Sequence, residues 1–525
     1  MSRPGFVLEV DERTPPLLVH SGESFGLESF PLGTRVIYPP ESLPALRDTR
    51  AAIDAALEHP IGMDPLRTLL FAGMRLTIAF DDLSLPLPPM RTPDVRQQII
   101  EAVLELAAAA GVDDVELVVA NALHRRMTGP EIKRIVGDRV FRSFWPDHLG
   151  NHDAEDRDNL VHLGLTGHGE DVEVNKRAAT SDLLVYVNVN LVAMDGGHKS
   201  TAVGLASYNS LRHHHNPATM VASRSFMDHK HSELHSSAWR MGRLLQEHVT
   251  VFQIETTLNN AAFPSQYSFL TKREWEWSLR DQATYYAVKR GLDALPKRLR
   301  RKAFQDITAD YGVTGVYAGA TEPVHELTVA GVHRQQLVEV QGQSDVLVLG
   351  LPYLCPYNVN SVMNPILAMC LGLGYFFNMY RGKPIVRAGG ALILHHPVPW
   401  EFSQLHHPSY VDFFEEVLTE STDPVVIEER FEKQYANDPW YTHLYRTSHA
   451  YHGVHPFYMW YWGAHAMAHL GEVIWVGADR RAVERMGFRS ASTMRDALEM
   501  ASGTVGRGPS ITYLHSPPHA LADVV

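Results

Sequence analysis

The sequence predicts an α/β protein of two domains, each built on a mainly parallel sheet. Three observations carry this. Short runs rich in Val, Ile and Leu alternate with amphipathic helical stretches from Leu66 onward, the pattern of a sheet with helices on both faces. The alternation comes in two blocks, parted by a stretch richer in helical pattern and aromatics. The 525 residues, 45% hydrophobic and 20% charged, are enough for two or three globular domains with a large core.

The first sixty residues are rich in Pro and turn signals and are expected to wrap the following domain. "RLTIAF" then reads as a buried strand ending at Asp81 and Asp82. "TPDVRQQIIEAVLELAAAAG" reads as a helix with Thr92 as N-cap, Pro93 at the first position and Gly111 past the end. "VELVVA" is a second strand, "TGPEIKRIVG" a second helix and "DLLVYVNVN" a third strand. Residues 266–330 read as a helical linker whose clearest helix is "SLRDQATYYAVKRGLDALPKRLRRKAF". Its "KRLRRK" cluster lacks interleaved aromatics and reads as a solvated face. "SDVLVLGLP", "GGALILHHP", "GEVIWVGAD" and "SITYLHSPP" are strands of the second block. The expected domains are 1–265, the linker 266–330, and 331–525.

A net charge of -13 gives no general attraction to nucleic acid, whose affinity comes largely from phosphate neutralisation by Lys and Arg, nor to anionic membranes. Cys355 and Cys370 are too few for a disulfide framework. The apolar run Ser361 to Tyr380 holds Asn364, Pro365 and Asn378 and reads as a buried helix rather than a span. "MSRPGFVLEVDERTPP" has no apolar signal core, so a cytoplasmic protein is expected. Oligomeric state is not legible.

Ligands of open α/β sheets bind beyond the carboxyl ends of the strands, and polar loops fall at those ends: "DDLSLPLPP", "NALHRRMTGPE", "NLVAMDGGHKS" and, in the second domain, "GLPYLCPYNVNS". They are expected to face one crevice. His124 sits between a strand and a helix, where it serves either as a proton-transferring base or as a loop histidine contacting backbone. His152 and His168 are weaker candidates of the same kind. Lys176 is either solvated or a nucleophilic amine. "DGGHKS" lacks the Walker spacing but offers backbone donors with Lys199 and Ser200, the makings of an anion-contacting turn. His213, His214 and His215 point apart on a helix and cannot share one metal, which leaves one inward-facing ring.

Taken in order, these motifs resemble the nickel-dependent lactate racemase family and its 2-hydroxyacid racemase and epimerase homologues. "FDDLSLPLPP" is similar to that family's Asp-Asp-x-Thr-Arg-Pro-x-Pro loop, and "NALHRRMTGPEI" to its Gly-Leu-His-Arg-x-Met-Thr segment. "VEVNK", "MDGGHKSTAVGLAS" and "CPYNVNSVMNPILAM" have counterparts as well. The resemblance implies two α/β domains flanking an active-site crevice that holds a nickel-pincer nucleotide, with hydride passing from a small-molecule 2-hydroxyacid to the cofactor while a histidine takes the hydroxyl proton. It assigns covalent attachment to Lys176 and catalysis to His124 and His168. Cofactor contacts fall to Asp81, Asp82, Ser84, Gly196, Gly197 and Lys199, and substrate contacts to Tyr357, Leu85 and Arg125. Three departures stand out. Leu85 replaces the family's Arg, Tyr357 replaces its Lys, and the nickel-ligating His before the Gly-Gly turn is missing, with His198 as the candidate replacement. Lactate is therefore not the expected substrate, and Lys199, Arg91 or Arg125 are candidate carboxylate anchors. The competing readings are a metal hydrolase using Asp81, Asp82, His124 and His152, and a non-catalytic binding homologue.

Overall fold

The strand Arg75–Asp81 is buried at every residue but its first, as expected of a strand covered by helices on two sides. A computed structural model describes residues 5–525; the first four residues of the N-terminal segment lie outside it. Arg75–Asp81 belongs to a six-stranded sheet ordered Val313–Gly319, Thr250–Leu258, Leu183–Asn190, Arg75–Asp81, Asp114–Ala120, Leu149–Asn151. Every pairing is parallel except that of Val313–Gly319 with Thr250–Leu258. The helix Val95–Ala109 is capped by Asp94, whose carboxylate accepts the Arg96 backbone N–H. It therefore starts two residues after the expected Thr92 cap, because Asp94 supplies the acceptor. The helix Gly129–Phe144 begins at Thr128, with Glu131 closing the reciprocal pair.

The second sheet has nine strands, seven of them in the order Phe6–Glu9, Arg35–Tyr38, Ile511–Leu514, Ser344–Pro352, Val386–His395, Glu472–Val476, Arg489–Ala491. The hairpin of Leu17–Gly22 and Ser24–Glu28 leans on the end of Ser344–Pro352. Two expected boundaries are corrected by this topology. The N-terminal strands do not belong with residues 39–265: Arg35–Tyr38 pairs in parallel with Ile511–Leu514 and covers what would be its open edge. Residues 266–330 are not all linker either. Helices Leu279–Ala294 and Lys297–Gln305 bridge outward, whereas Val313–Gly319 returns to the first sheet and helix Thr321–Gln336 packs on it.

One apolar core runs through both sheets, from Ile78 and Val187 to Leu349 and Leu394. The run expected as a buried helix is one, Pro365–Met369, continued by a π-helical turn Cys370–Phe376. Among the described residues no helix is long and apolar enough to cross a membrane. Both cysteines are buried and free.

Candidate active site

The carboxyl ends of the parallel strands of the first sheet open onto a cavity of about 300 Å3 between the two domains. The loop after Arg75–Asp81 supplies one wall. Its backbone is clamped by buried Arg96, whose Nη1 donates to the carbonyls of Asp81 (2.9 Å) and Asp82 (2.7 Å) while its other nitrogens hold Asp94. Asp81 reaches the neighbouring strand, accepting the Val189 N–H at 2.7 Å and the Tyr186 hydroxyl at 3.2 Å. Burial pushes its carboxyl up to about 7 against the pull of the Val189 N–H. Asp82 behaves in the opposite way. Burial would raise it, but the facing His124 and the two hydrogen bonds from Ser84 outweigh that and hold it below the usual carboxylate range.

His124 meets Asp82 through Nδ1, 2.8 Å from Oδ2. An ionised carboxylate only accepts, so the hydrogen is assigned to Nδ1 and the lone pair to Nε2. The turn that aims this ring is strained: Ala122 has φ 47, a left-handed conformation that costs a non-glycine residue about 1–3 kcal/mol. Both sides of Ala122 are fixed, its N–H donating to Gly204 O at 2.9 Å and its carbonyl accepting the Tyr445 hydroxyl at 3.0 Å. The second domain thus helps to set the angle of a first-domain histidine.

Opposite His124 stand Tyr357, its ring 5.0 Å away, and His455, 5.4 Å away. Tyr357 shares a hydrogen bond with Tyr375. His455 Nδ1 meets the Tyr410 hydroxyl at 2.6 Å, and its Nε2 is buried with no hydrogen bond inside the chain. Burial first, and His124 second, hold this imidazole neutral, well below its ordinary value. Of the histidine run, His215 is the ring that faces the cavity, burial lowering it to about 3, while His214 turns to Ser237.

Lys199 lies on the cavity wall, its Nζ donating to Met194 O at 3.1 Å and 3.9 Å from Asp195 Oδ1. Burial lowers its ammonium, with Asp195 and Asp81 pulling the other way. Among the described residues it is the one Lys or Arg lining the cavity. Most of the remaining wall is apolar, with Asn188, Asp195, Ser200, His215 and His519 among its further polar members.

The sequence-predicted residues divide sharply. Asp81, Asp82, Ser84, Leu85, His124, Gly196, Lys199 and Tyr357 line the cavity together. Gly197 does not, and its N–H, expected to meet an anion, donates to Glu255 at 2.6 Å. A Cβ there would fall 2.8 Å from His325, so the turn is packed against protein. His198 is buried beside Glu322, Nε2 to Oε1 3.0 Å, outside the cavity. His168 is exposed in the turn joining Leu160–Leu165 to Asp171–Asn175. Lys176 is exposed at the start of a short helix, its Nζ 3.4 Å from Asp158 O. Arg125 is buried, but both terminal nitrogens hold Glu131, at 3.0 and 2.7 Å. It also reaches Val359 O across the domain boundary at 3.2 Å, so it clamps domains rather than facing a ligand. Arg91 pairs with Asp310 at the surface. His152 bonds Ala206 O and stands outside the cavity, which breaks up the donor set of the hydrolase reading. Among the described residues no group of three or more His, Cys, Asp or Glu is placed to hold a metal ion. Arg96, Tyr375, Tyr410 and His455 were not legible as site residues, since no motif marks them.

Residues 26–228 match the family of the lactate racemase N-terminal domain. A lactate racemase of Lactiplantibacillus plantarum is 27% identical over 169 residues, which cover 31% of this chain and 37% of that protein. One from Thermoanaerobacterium thermosaccharolyticum is 26% identical over 172 residues, again 31% and 37%. The chain therefore aligns with little over a third of the length of these relatives. The structure of the lactate racemase apoprotein from T. thermosaccharolyticum superposes with a TM-score of 0.61 over 97% of this chain and 99% of that one, at 16% identity, which shows a shared two-domain α/β fold. Residues 26–228 thus resemble a lactate racemase N-terminal domain in sequence, and the whole chain shares the fold of a lactate racemase apoprotein.

Proposed function

We propose that the chain is a racemase or epimerase of a 2-hydroxyacid other than lactate, with His124 as the base that takes the hydroxyl proton. The observation that carries this is the Asp82–His124 pair, 2.8 Å apart, on the wall of a mainly apolar interdomain cavity. Asp82 fixes the tautomer and stabilises the imidazolium formed when the hydroxyl oxygen gives its proton to Nε2. Lys199 is the cation available to a carboxylate. Leu85 and Tyr357, which stand where the family pattern has cations, add apolar wall and one neutral hydroxyl. His455, its ring 5.4 Å from that of His124, brings an uncharged imidazole with an unpaired Nε2 to the same cavity wall.

The nickel-pincer nucleotide implied by the family does not fit the residues expected to hold it. Lys176 and His198 both lie outside the cavity, and the Gly197 N–H is taken by Glu255. His124 is accordingly assigned to the hydroxyl proton alone. The same misfit favours the second reading, a homologue that binds a 2-hydroxyacid without turning it over. Chiral chromatography of a 2-hydroxyacid panel, incubated with protein made in a host that has the cofactor pathway, separates the two. Interconversion that falls by about 10²–10⁴ in His124→Ala supports the racemase. Binding without interconversion supports the second reading, and interconversion that His124→Ala leaves intact removes His124 from the mechanism.

A further inference from the structure

The cavity does not end at the dyad. It continues beneath the two helices that bridge the domains, where Phe25, Leu270, Val288, Leu292, Phe304 and Ile307 form its wall. Val288 and Leu292 project from helix Leu279–Ala294 and Phe304 from helix Lys297–Gln305. All three are partly buried and pack on the small cluster of Leu18, Phe25, Phe269, Leu270 and Tyr285. The second of these helices, Lys297–Gln305, is fixed in place. Arg301 pairs with Glu23 at 2.8 Å and Glu401 at 2.6 Å, Lys297 pairs with Glu401, and Gln305 Nε2 donates to the carbonyls of Asn358 and Ser361. Two members of the basic cluster expected to be solvated thus hold a roof over an apolar space. His20 adds to the wall without adding charge. Its ring stacks on Phe263 at 6.0 Å, both ring nitrogens lack partners, and burial lowers it to about 3.

A small 2-hydroxyacid at the dyad would leave this end unfilled, although apolar side chains around a cavity draw stabilisation from apolar atoms that fill it. We infer that the substrate carries a long apolar substituent beyond C2, its head at Asp82, His124 and Lys199 and its tail between the bridging helices and Phe25. This rests on the assignment of Asp82 and His124 to the 2-hydroxyacid head.

The test is a homologous series: lactate, 2-hydroxybutyrate, 2-hydroxyhexanoate, 2-hydroxyoctanoate and 2-hydroxydecanoate, with 3-phenyllactate as the aryl arm. Each is followed by isothermal titration for Kd and by chiral chromatography for kcat/KM. Each methylene buried should tighten binding about fourfold, the ratio given by about 0.8 kcal/mol per methylene, until the tail fills the space. Leu292→Trp and, independently, Ile307→Trp should collapse the ratio of octanoate to butyrate affinities, and a variant that fails to fold leaves the other and the wild-type series to decide. A Kd flat along the series, or tightest for lactate, overturns the inference even where racemisation is observed. A Kd falling along the series with no interconversion of any member supports the tail site and counts against the racemase. Tighter binding of 3-phenyllactate than of any alkyl member assigns the tail to an aryl group.

Discussion

Replacing Asp82 by Asn tests the role of His124 without removing it. In the native pair the Asp82 Oδ1 accepts both the Ser84 N–H and the Ser84 hydroxyl, and Oδ2 faces His124 Nδ1 at 2.8 Å. Asn has the same shape, but only its oxygen can accept from the Ser84 N–H. That oxygen stays with Ser84, and the amide NH2 is left facing His124. An NH2 donates, so Nδ1 must become the acceptor and the ring hydrogen moves to Nε2. The nitrogen that should take the hydroxyl proton is then occupied. One general base contributes about 10²–10⁴ in rate, or about 3–5 kcal/mol of barrier, and Asp82→Asn should lose most of it with little change in KM. The assay is the initial rate of enantiomer interconversion for wild type, Asp82→Asn, His124→Ala and the double variant. The two residues act as one unit, so the double variant should be no slower than His124→Ala. A wild-type rate in Asp82→Asn, or two losses that multiply in the double variant, refutes the pairing.

Glu432, buried between the Tyr208 and Tyr461 hydroxyls, is raised by burial to about 7 from 4.5. Its contribution to stability is complete below about pH 4.5 and disappears as pH rises through 7, so Glu432→Gln should flatten a fall of up to about 3 kcal/mol read by urea unfolding across that window. Arg125→Ala strands the buried Glu131 carboxylate, which the native pairing holds at about 2 against the cost of burial; thermal unfolding should report a loss of about 3–5 kcal/mol, whereas a substrate anchor would change KM at constant stability. Lys199→Met should raise the Kd of a 2-hydroxyacid about tenfold to a hundredfold, the worth of a charged hydrogen bond, and Lys176→Ala should leave that Kd unchanged in the same titration.

Much of the fold was legible because its determinants are local. Runs such as "RLTIAF" and "DLLVYVNVN" are apolar on both faces and so declare parallel strands, and Thr128 with Glu131 declares a helix start. The strand Arg35–Tyr38 escaped because its partner Ile511–Leu514 lies at the far end of the chain, a pairing no local pattern records. The site divides in the same way. Loops at strand ends delivered Asp82, His124, Lys199 and Tyr357 to one cavity, because parallel topology sends all such loops to one edge. The direction of a side chain within its loop obeys no such rule. His198 follows the Gly-Gly turn in sequence, yet His325 and Glu322, on the helix Thr321–Gln336, pack that turn from behind and draw the imidazole away. Lys176 precedes a strand of the sheet, but it opens a helix of four residues at the strand's far end, away from the crevice. The fold shared with the lactate racemase apoprotein fixes loop positions, while contacts from residues such as Glu255, Glu322 and His325 turn the individual side chains. A cavity that sets the Asp82–His124 pair beside Leu85 and Tyr357, with Lys199 as its one lining cation and Leu292 and Phe304 on its wall, offers a ligand far more apolar area than charge, and the homologous series reads that balance directly.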